Sequence, residues 1–201
     1  EERGELTGRV NGALWWERHR GLEQVIDLQT RRESAHGAAE AAGSGVPGFL
    51  PTTVKIMTDG VLENYTGALL EPYCDGCGGH TDNHGLSYVD RDELRAAVTE
   101  LDALGFQVRM HAIGDRAVRN ALDAVEAARA ANGAGDRRHH IAHVQVVQPV
   151  DVPRFAALDV VANCQTYWAQ PDPQMDELTV PFLGDERAAL QYPFEAIRAA
   201  G

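Results

Sequence analysis

Val54-Lys55-Ile56-Met57 is the first of three strand-like stretches that decide the fold, and the other two are Gln107–His111 and His140–Gln145. Each stretch is rich enough in apolar and β-branched residues for a buried strand, yet each carries an ionisable side chain at its centre or end. The separation of His111 and His143 along the chain is close to the length of one strand–helix–strand unit, which is ~30 residues. We therefore expect both imidazoles at the carboxyl ends of neighbouring parallel strands, where the functional residues of such folds gather.

Strand and helix signals alternate along the whole chain. Short turns join most segments, whereas residues 58–88 form a connection much longer than the usual ~4–6 residues, which is typical of a functional lid or binding loop. The expected order is a strand over residues 6–16, a helix from Gly21 to about Ala42, a strand at Thr52–Met57, a helix from Asp90 to Gly105, a strand at Phe106–Ala112, a helix from its cap Asp115 to Gly133, a strand at His139–Gln145, a short helix at Pro149–Leu158, a strand at Val160–Tyr167, and a loop and last helix from Leu178 to Gly201. This alternation predicts a single α/β segment, residues 1–201, with a parallel sheet and helices outside it.

The composition argues against several classes of partner. The net charge is −12 and the pI is about 5.0, which disfavours nucleic acid and anionic membrane surfaces. No apolar run approaches the ~18 residues that span a bilayer, and residues 1–5 lack the features of a secretory signal. Three cysteines are too few, and odd in number, for a disulfide framework, so the expected location is the reducing cytoplasm.

Lys55 lies at the centre of its strand, where a charged side chain needs a partner or a function. Alternation places it on the side of Thr53 and Met57, opposite Val54 and Ile56. If the valine–isoleucine side packs on helices, Lys55 faces the interior of a barrel or the mouth of the sheet. Three readings are open: a lysine that reaches solvent or pairs with an acid, a Schiff-base nucleophile, or a lysine carboxylated on its amine that holds metal.

The two histidines are more informative together than apart. Alternation gives His111 the same face as Arg109, and gives His143 the same face as Ile141 and Gln145. Alone, either histidine would be read as a satisfied core or surface residue. Two of them one strand–helix–strand unit apart, with a lysine one unit earlier, favour a divalent metal site instead.

A second set of possible metal ligands lies in the long connection, as Cys74-x-x-Cys77-x-x-His80-x3-His84. The spacing of its two cysteines is that of a zinc knuckle. All four residues lie in one short segment without a second half on a separate element, so we prefer solvated loop residues and keep a structural zinc as the alternative. Cys164, on the last predicted strand, is read as a small buried apolar residue.

At these residues the chain resembles the amidohydrolase superfamily and, within it, amidohydrolase family 3, with similarity to the N-substituted formamide deformylases. The resemblance rests on Val54–Gly60 with Glu71-Pro72-Tyr73, on His111–Ala117 and on Ile141–Gln145, and it covers nearly the whole chain. It implies a TIM-like (β/α)8 barrel. This chain would be an internal fragment of it, a partial barrel with approximately the third to seventh strands and their outer helices.

The resemblance also implies a site. Lys55 would be a carboxylated lysine on the fourth barrel strand, with His111 and His143 on the fifth and sixth strands. All three would be catalytic residues and ligands of a divalent metal, zinc being the first candidate. The residues expected to surround the site or to belong to the substrate loop are Asp59, Glu63, Asp115 and Gln145.

The implied reaction is the hydrolysis of carbon–nitrogen bonds other than peptide bonds, in a small amide or formamide-type substrate, by metal-activated water. The family's first-strand His-x-His pair, its eighth-strand aspartate and its small β-sandwich have no counterpart in these 201 residues. That aspartate serves as a ligand and proton shuttle. We therefore expect the isolated chain to retain at most a partial site and little or no hydrolysis.

Two other classes of function stay open. An incomplete barrel would leave two sheet edges unpaired, which favours a non-catalytic α/β module that pairs with another chain and predicts a homo-oligomer. Schiff-base lyase chemistry at Lys55 is the other class, and borohydride trapping of a substrate adduct would identify it. That chemistry would leave the two histidines without a role.

Overall fold

A computed structural model of the chain describes residues 8–41 and 48–201. Its strands are β1 Val10–Trp15, β2 Phe49–Met57, β3 Gln107–Ala112, β4 His140–His143 and β5 Val161–Asn163. Its α-helices are α1 Val25–Ala41, α2 Arg91–Ala103, α3 Asp115–Asn132, α4 Val152–Ala157, α5 Pro173–Leu178, α6 Val180–Leu183, α7 Asp185–Ala188 and α8 Phe194–Ala199, with 3₁₀ turns at Gly21–Gln24, Leu62–Asn64 and Thr166–Ala169. The parts of the first predicted strand and helix at residues 6–7 and at Ala42 lie outside the described residues.

The five strands form one parallel sheet in the order of the chain, β1-β2-β3-β4-β5. One long or short helix connects each strand to the next, α1 to α4 in turn. The predicted α/β alternation and parallel sheet are therefore confirmed, and the architecture is that of a partial TIM-like barrel. Because all strands run in the same direction, their carboxyl ends meet along one edge.

The main core lies between one face of the sheet and the helices α2 and α3. The strand residues Val54, Ile56, Val108 and Met110 are fully buried there. The helical side chains that pack on them include Leu94, Val98, Leu101, Val118, Leu122 and Val125. Each such side chain contributes about 1.5–3 kcal/mol through burial. Since this side of β2 packs on helices, Lys55 lies on the opposite side of the sheet, as alternation predicts.

The helices α2 and α3 begin at different kinds of cap residue. Asp90 caps α2 as predicted, since its side chain accepts hydrogen bonds from two backbone N–H groups of the first turn. The predicted cap of α3 is wrong, because Gly114 occupies the cap position and Asp115 is the first helical residue. A Cβ atom at Gly114 would lie 2.0 Å from the carbonyl oxygen of Ala68. The close approach of the long loop therefore requires glycine there.

Two predictions near the carboxyl terminus are wrong. The strand predicted at Val160–Tyr167 ends at Asn163, because the amide of Gln165 folds back onto the carbonyl and side-chain oxygens of Asn163. Such local hydrogen bonds compete with a strand ladder. The loop and single helix predicted from Leu178 to Gly201 are three short helices, α6 to α8, since Gly184, with φ 75°, ends α6. A further short helix, α5, begins at Pro173 before that region.

Across the described ranges, no helix is both long enough and apolar enough to cross a bilayer.

Candidate metal centre

The two predicted histidines meet at the carboxyl edge of the sheet. His111 lies near the end of β3 and His143 ends β4. Their ring centroids are 4.5 Å apart, and the ring planes meet at 61°. A residue from each of two neighbouring strands thus supplies an imidazole to one small volume.

His143 reaches this volume through an unusual backbone conformation. The register pairs Met110 with Ile141 and His111 with Ala142, so strict alternation would place His143 on the helix side with buried Ile141. That was the expected face, and it is wrong: the His143 ring contacts His111 instead. His143 has φ 81° and the following Val144 has φ 53°. Positive φ is rare for such residues, above all for a β-branched one, and this strain turns the end of β4 toward the site.

His111 is held as a neutral imidazole with a defined tautomer. Its Nε2 lies 2.9 Å from the carbonyl oxygen of Gly60. Because a carbonyl only accepts, Nε2 carries the proton and Nδ1 keeps its lone pair. Burial lowers the pKa of His111, and nearby Lys55 lowers it further, although the bond to Gly60 opposes them. A metal-ligating histidine typically has its second nitrogen held in this way.

His143 is also neutral near pH 7. Burial lowers its pKa to about 4, and the nearby His111 and Lys55 act in the same direction. Its Nδ1 is buried and has no hydrogen-bond partner among the described residues. Trp168 stacks on the ring with centroids 5.3 Å apart and an interplanar angle of 8°. A neutral, oriented imidazole with an unpartnered nitrogen fits the donor chemistry of a metal ligand.

Lys55 lies on the same face of the sheet as His111 but further from the carboxyl edge. The register places it between Trp15 on β1 and Arg109 on β3, whereas Met57 is the residue level with His111. Burial, followed by the positive charge of Arg109, lowers the pKa of Lys55 to about 8, and Asp59 opposes them. A substantial fraction of free amine is therefore present at slightly alkaline pH, which is the form that a Schiff base or a carboxylated lysine requires.

Asp59 anchors the long loop beside His111. It is fully buried, and its carboxylate accepts hydrogen bonds from the backbone N–H groups of Ala68 at 2.9 Å, Gly114 at 2.9 Å and Ile113 at 3.1 Å. The nearer oxygen lies 3.4 Å from Nε2 of His111. Burial raises the pKa of Asp59 to about 7, while the three N–H groups favour the ionised form. Asp59 thus joins the loop, the β3–α3 turn and a candidate ligand.

Asp115, Glu63 and Gln145 each contact a different segment of the chain. Asp115 accepts from the N–H of Leu70 and from the amide of Gln148, so it too fixes the long loop. Glu63 lines a cavity among the loops that follow β2 and β5. Gln145 is buried and donates to Gln191 on the carboxyl-terminal segment.

The cysteine–histidine motif does not form a ligand set. Within residues 8–41 and 48–201, no three His, Cys, Asp or Glu side chains are grouped so that they could hold a metal ion. All three cysteines are free thiols, and Arg187 lies 3.5 Å from the Cys74 sulfur. The predicted burial of Cys164 is wrong in degree, because the residue is partly exposed after the early end of β5.

The sequence does not assign Trp168 or Arg109 to the site. Trp168 lies in the 3₁₀ turn Thr166–Ala169, one residue beyond the strand predicted at Val160–Tyr167, and an aromatic residue just beyond a strand end is the signal available. Alternation places Arg109 on the face of His111, but the sequence indicates no role for it. It lies between Lys55 and His140 in register, and its buried Nε has no partner among the described residues.

Comparisons with known proteins bear on the fold and the family of this chain. A family model described as "Amidohydrolase family" matches residues 2–201. A metal-dependent hydrolase of uncharacterised function from Pyrococcus furiosus has a similar fold, with a TM-score of 0.63 and 23% sequence identity over 94% of this chain and 40% of that one. A second such protein, from Pyrococcus horikoshii, also has a TM-score of 0.63 and 23% identity, over 94% of this chain and 38% of that one.

Curated relatives are more similar in sequence. The Arabidopsis thaliana protein LONG AFTER FAR-RED 3 is 36% identical over 72% of this chain and 24% of its own length. The exoenzymes regulatory protein AepA of Pectobacterium carotovorum is 35% identical over 78% and 30%, and the putative amidohydrolase YtcJ of Bacillus subtilis is 30% identical over 74% and 26%. The matches span between about a quarter and a third of these relatives. On the match to residues 2–201, the chain belongs to the amidohydrolase family.

Proposed function

We propose that this chain carries part of the active site of a metal-dependent hydrolase that cleaves carbon–nitrogen bonds other than peptide bonds in small amide or formamide-type substrates. One observation carries the proposal: two neutral imidazoles from adjacent parallel strands meet with their centroids 4.5 Å apart at the carboxyl edge of the sheet. The family match and a relative named as a putative amidohydrolase support the class of reaction.

The donor chemistry fits a divalent metal. His111 would coordinate through Nδ1, because its Nε2 proton is committed to Gly60, and His143 has an unpartnered buried nitrogen. Lys55 would add a third ligand from this chain after its free amine adds carbon dioxide, releasing a proton and forming a carbamate. Imidazole nitrogens with a carboxylate-type oxygen suit zinc, which we take as the metal.

A metal bound there would polarise the substrate carbonyl and lower the pKa of a bound water to about 7. The chain's own residues prepare the site for that chemistry. Asp59 and Gly60 hold the ring of His111, and Trp168 stacks on one face of His143 and orients its ring. The positive charge of Arg109 beside Lys55 would favour the anionic carbamate over the ammonium.

The proposal is tested by metal retention. We expect the purified chain to bind Zn²⁺, and to bind it more tightly with added bicarbonate. His111→Asn and His143→Asn should each weaken binding by more than ~100-fold, since losing a ligand costs more than losing a group that merely orients one. Matched controls are His80→Asn and Cys77→Ser in the long loop, which should leave the stoichiometry unchanged. Zinc retention lost in the controls and kept in the site variants would overturn the assignment.

Hydrolysis is measured separately, on N-substituted formamides and other small amides. We expect little or no turnover by the 201-residue chain, and His111-dependent turnover by a longer chain that adds the family's His-x-His pair and aspartate to it. A location in the cytoplasm, supported by three free thiols, belongs to this proposal as well.

A further inference from the structure

A cavity of about 470 Å³ lies among the loops that follow the carboxyl ends of β2 and β5. Its walls come from the long loop after β2, from the turn after β5, and from the segment that includes α5. Trp168 belongs both to this wall and to the site, since its ring stacks on His143. Neither histidine lines the cavity, so Trp168 is its link to the site. Through that link the cavity is placed to hold a part of a substrate near the candidate metal position.

The charged groups of this cavity are all negative. Glu63 and Asp172 line it, and no Lys, Arg or His does. Glu63 accepts a long hydrogen bond of 3.3 Å from Gln174, and Asp172 accepts from the backbone N–H of Met175. Neither carboxylate forms an ion pair with a described residue. Burial and then the charges of Glu63 and Asp172 raise the pKa of Tyr192 to about 12, so both carboxylates act on the same part of the cavity.

The remaining walls include three aromatic rings, those of Tyr167, Trp168 and Tyr192. Tyr167 and Trp168 are 77% and 51% exposed, so each ring offers an uncovered surface to a ligand. Aromatic faces attract cations, and this attraction adds to that of a nearby carboxylate. The net charge of −12 raises the local concentration of cations further.

We propose that this cavity, with Glu63, Asp172 and Trp168, is the substrate subsite of the hydrolase and selects amides whose group next to the scissile bond is an organic cation, such as an alkylammonium, joined to a flat apolar part. The inference rests on the proposed function for the identity of the reaction. The binding preference itself follows from the cavity alone and can be measured without metal.

The test uses three probes of similar shape: 2-phenylethylammonium, 2-phenylethanol and 3-phenylpropanoate. Their affinities for the purified chain are measured by NMR titration of the Trp168 indole N–H, which is assigned with Trp168→Phe. We expect the cation to bind about tenfold more tightly than the alcohol, the anion to bind most weakly, and the preference for the cation to shrink at high ionic strength.

Matched variants locate the effect. Glu63→Gln and Asp172→Asn keep the shape of the side chains, and asparagine retains the ability to cap α5. Together they should reduce the preference for the cation by at least about fivefold. Glu186→Gln removes a carboxylate from a separate cavity lined by Cys74 and Arg187, and should change nothing. Equal affinities for the three probes, or equal effects of all three substitutions, would overturn the inference.

One further variant separates this inference from the proposed function. His111→Asn should abolish zinc retention and leave the preference for the cation intact. If the wild-type chain binds zinc but shows no preference for the cation, the subsite alone is rejected. Absence of zinc binding with the preference retained would reject the hydrolase site, and with it the role of the cavity as a substrate subsite.

Discussion

Asp59 serves the fold and the site with the same carboxylate, and one substitution can isolate its part in the fold. In Asp59→Asn, one oxygen can still accept from Ala68 and Gly114, but the new amide group would face the N–H of Ile113. A buried N–H without an acceptor costs about 1–3 kcal/mol. We expect the free energy of unfolding, measured in urea, to fall by that amount.

The control for this loss lies in the same loop. Asp82 is exposed, so Asp82→Asn should change the free energy of unfolding by less than about 0.5 kcal/mol. If the two variants lose the same stability, Asp59 does not anchor the loop.

At the scale of single residues, the sequence was informative wherever the backbone is regular. The face of Lys55 could be predicted because β2 alternates without interruption from Thr53 to Met57. The face of His143 could not, because two consecutive left-handed residues break the alternation. No local signal indicates such a conformation at a histidine followed by valine. It persists only because the surrounding packing holds it.

At the scale of elements, β4 is tied to β3 and α2 through His139. The N–H of Val108 donates to Nδ1 of His139 at 3.0 Å. Nε2 therefore carries the proton and donates to Asp102 of α2, also at 3.0 Å. This arrangement uses the neutral imidazole, and burial lowers the pKa of His139 in the folded chain.

The consequence is a loss of stability in weak acid. The unfolded chain takes up a proton at His139 near pH 6.5, whereas the folded chain does so only at lower pH. The contribution of neutral His139 to the free energy of unfolding is therefore present in full above about pH 6.5. It is lost as the pH falls from there toward the pKa of His139 in the folded chain. His140, whose pKa burial lowers to about 4, acts in the same direction. Urea unfolding at a series of pH values should show this decline.

His139→Leu tests the assignment. The variant leaves Val108 N–H without an acceptor and should lose about 1–3 kcal/mol at pH 8. Its stability should also fall less steeply than that of the wild type between pH 6.5 and 5. The exposed His36 provides the control, since His36→Gln should retain the wild-type slope. An unchanged slope in His139→Leu would contradict the linkage.

Elements were predictable in order and type, but less so in length. The helices α2 and α3 carry long apolar stripes and clear start and stop signals, so their predicted bounds agree with the structure within a few residues. β5 was predicted too long, because a side chain that folds back, as Gln165 does, leaves no mark in the pattern of apolar residues. The short helices after residue 172 pack on different parts of the fold, α5 on the turn Leu62–Asn64 of the long loop and α8 on α4, so their bounds depend on contacts between distant segments.

At the scale of the whole molecule, the parallel sheet could be predicted and the cavity could not. Strand–helix alternation and the handedness of crossovers leave few topologies, so the order of strands follows from local signals. The cavity instead requires Glu63, Trp168 and Asp172, from three separate segments, to converge. The proposed metal ligands could be named from the sequence because each lies on a strand, whereas the walls of the cavity could not, because they lie on loops.

Among the residues that the structure describes, the two edges of the sheet are unpaired. β1 and β5 are the outer strands, and each presents backbone groups that a further strand could pair with. Apolar side chains accompany both edges, since Trp15 on β1 is 51% exposed and Val161 on β5 is 49% exposed. Parallel sheets are normally covered on both faces and closed or protected at their edges.

We therefore expect the 201-residue chain to self-associate, with a mass by light scattering that rises with concentration. Trp15→Lys combined with Val161→Lys should shift it to the monomer, because a charge at an edge opposes strand pairing, whereas Ile26→Lys on the 73% exposed surface of α1 should not. A monomer at every concentration would show that these edges need no partner, and would remove the main support for a module whose function is pairing.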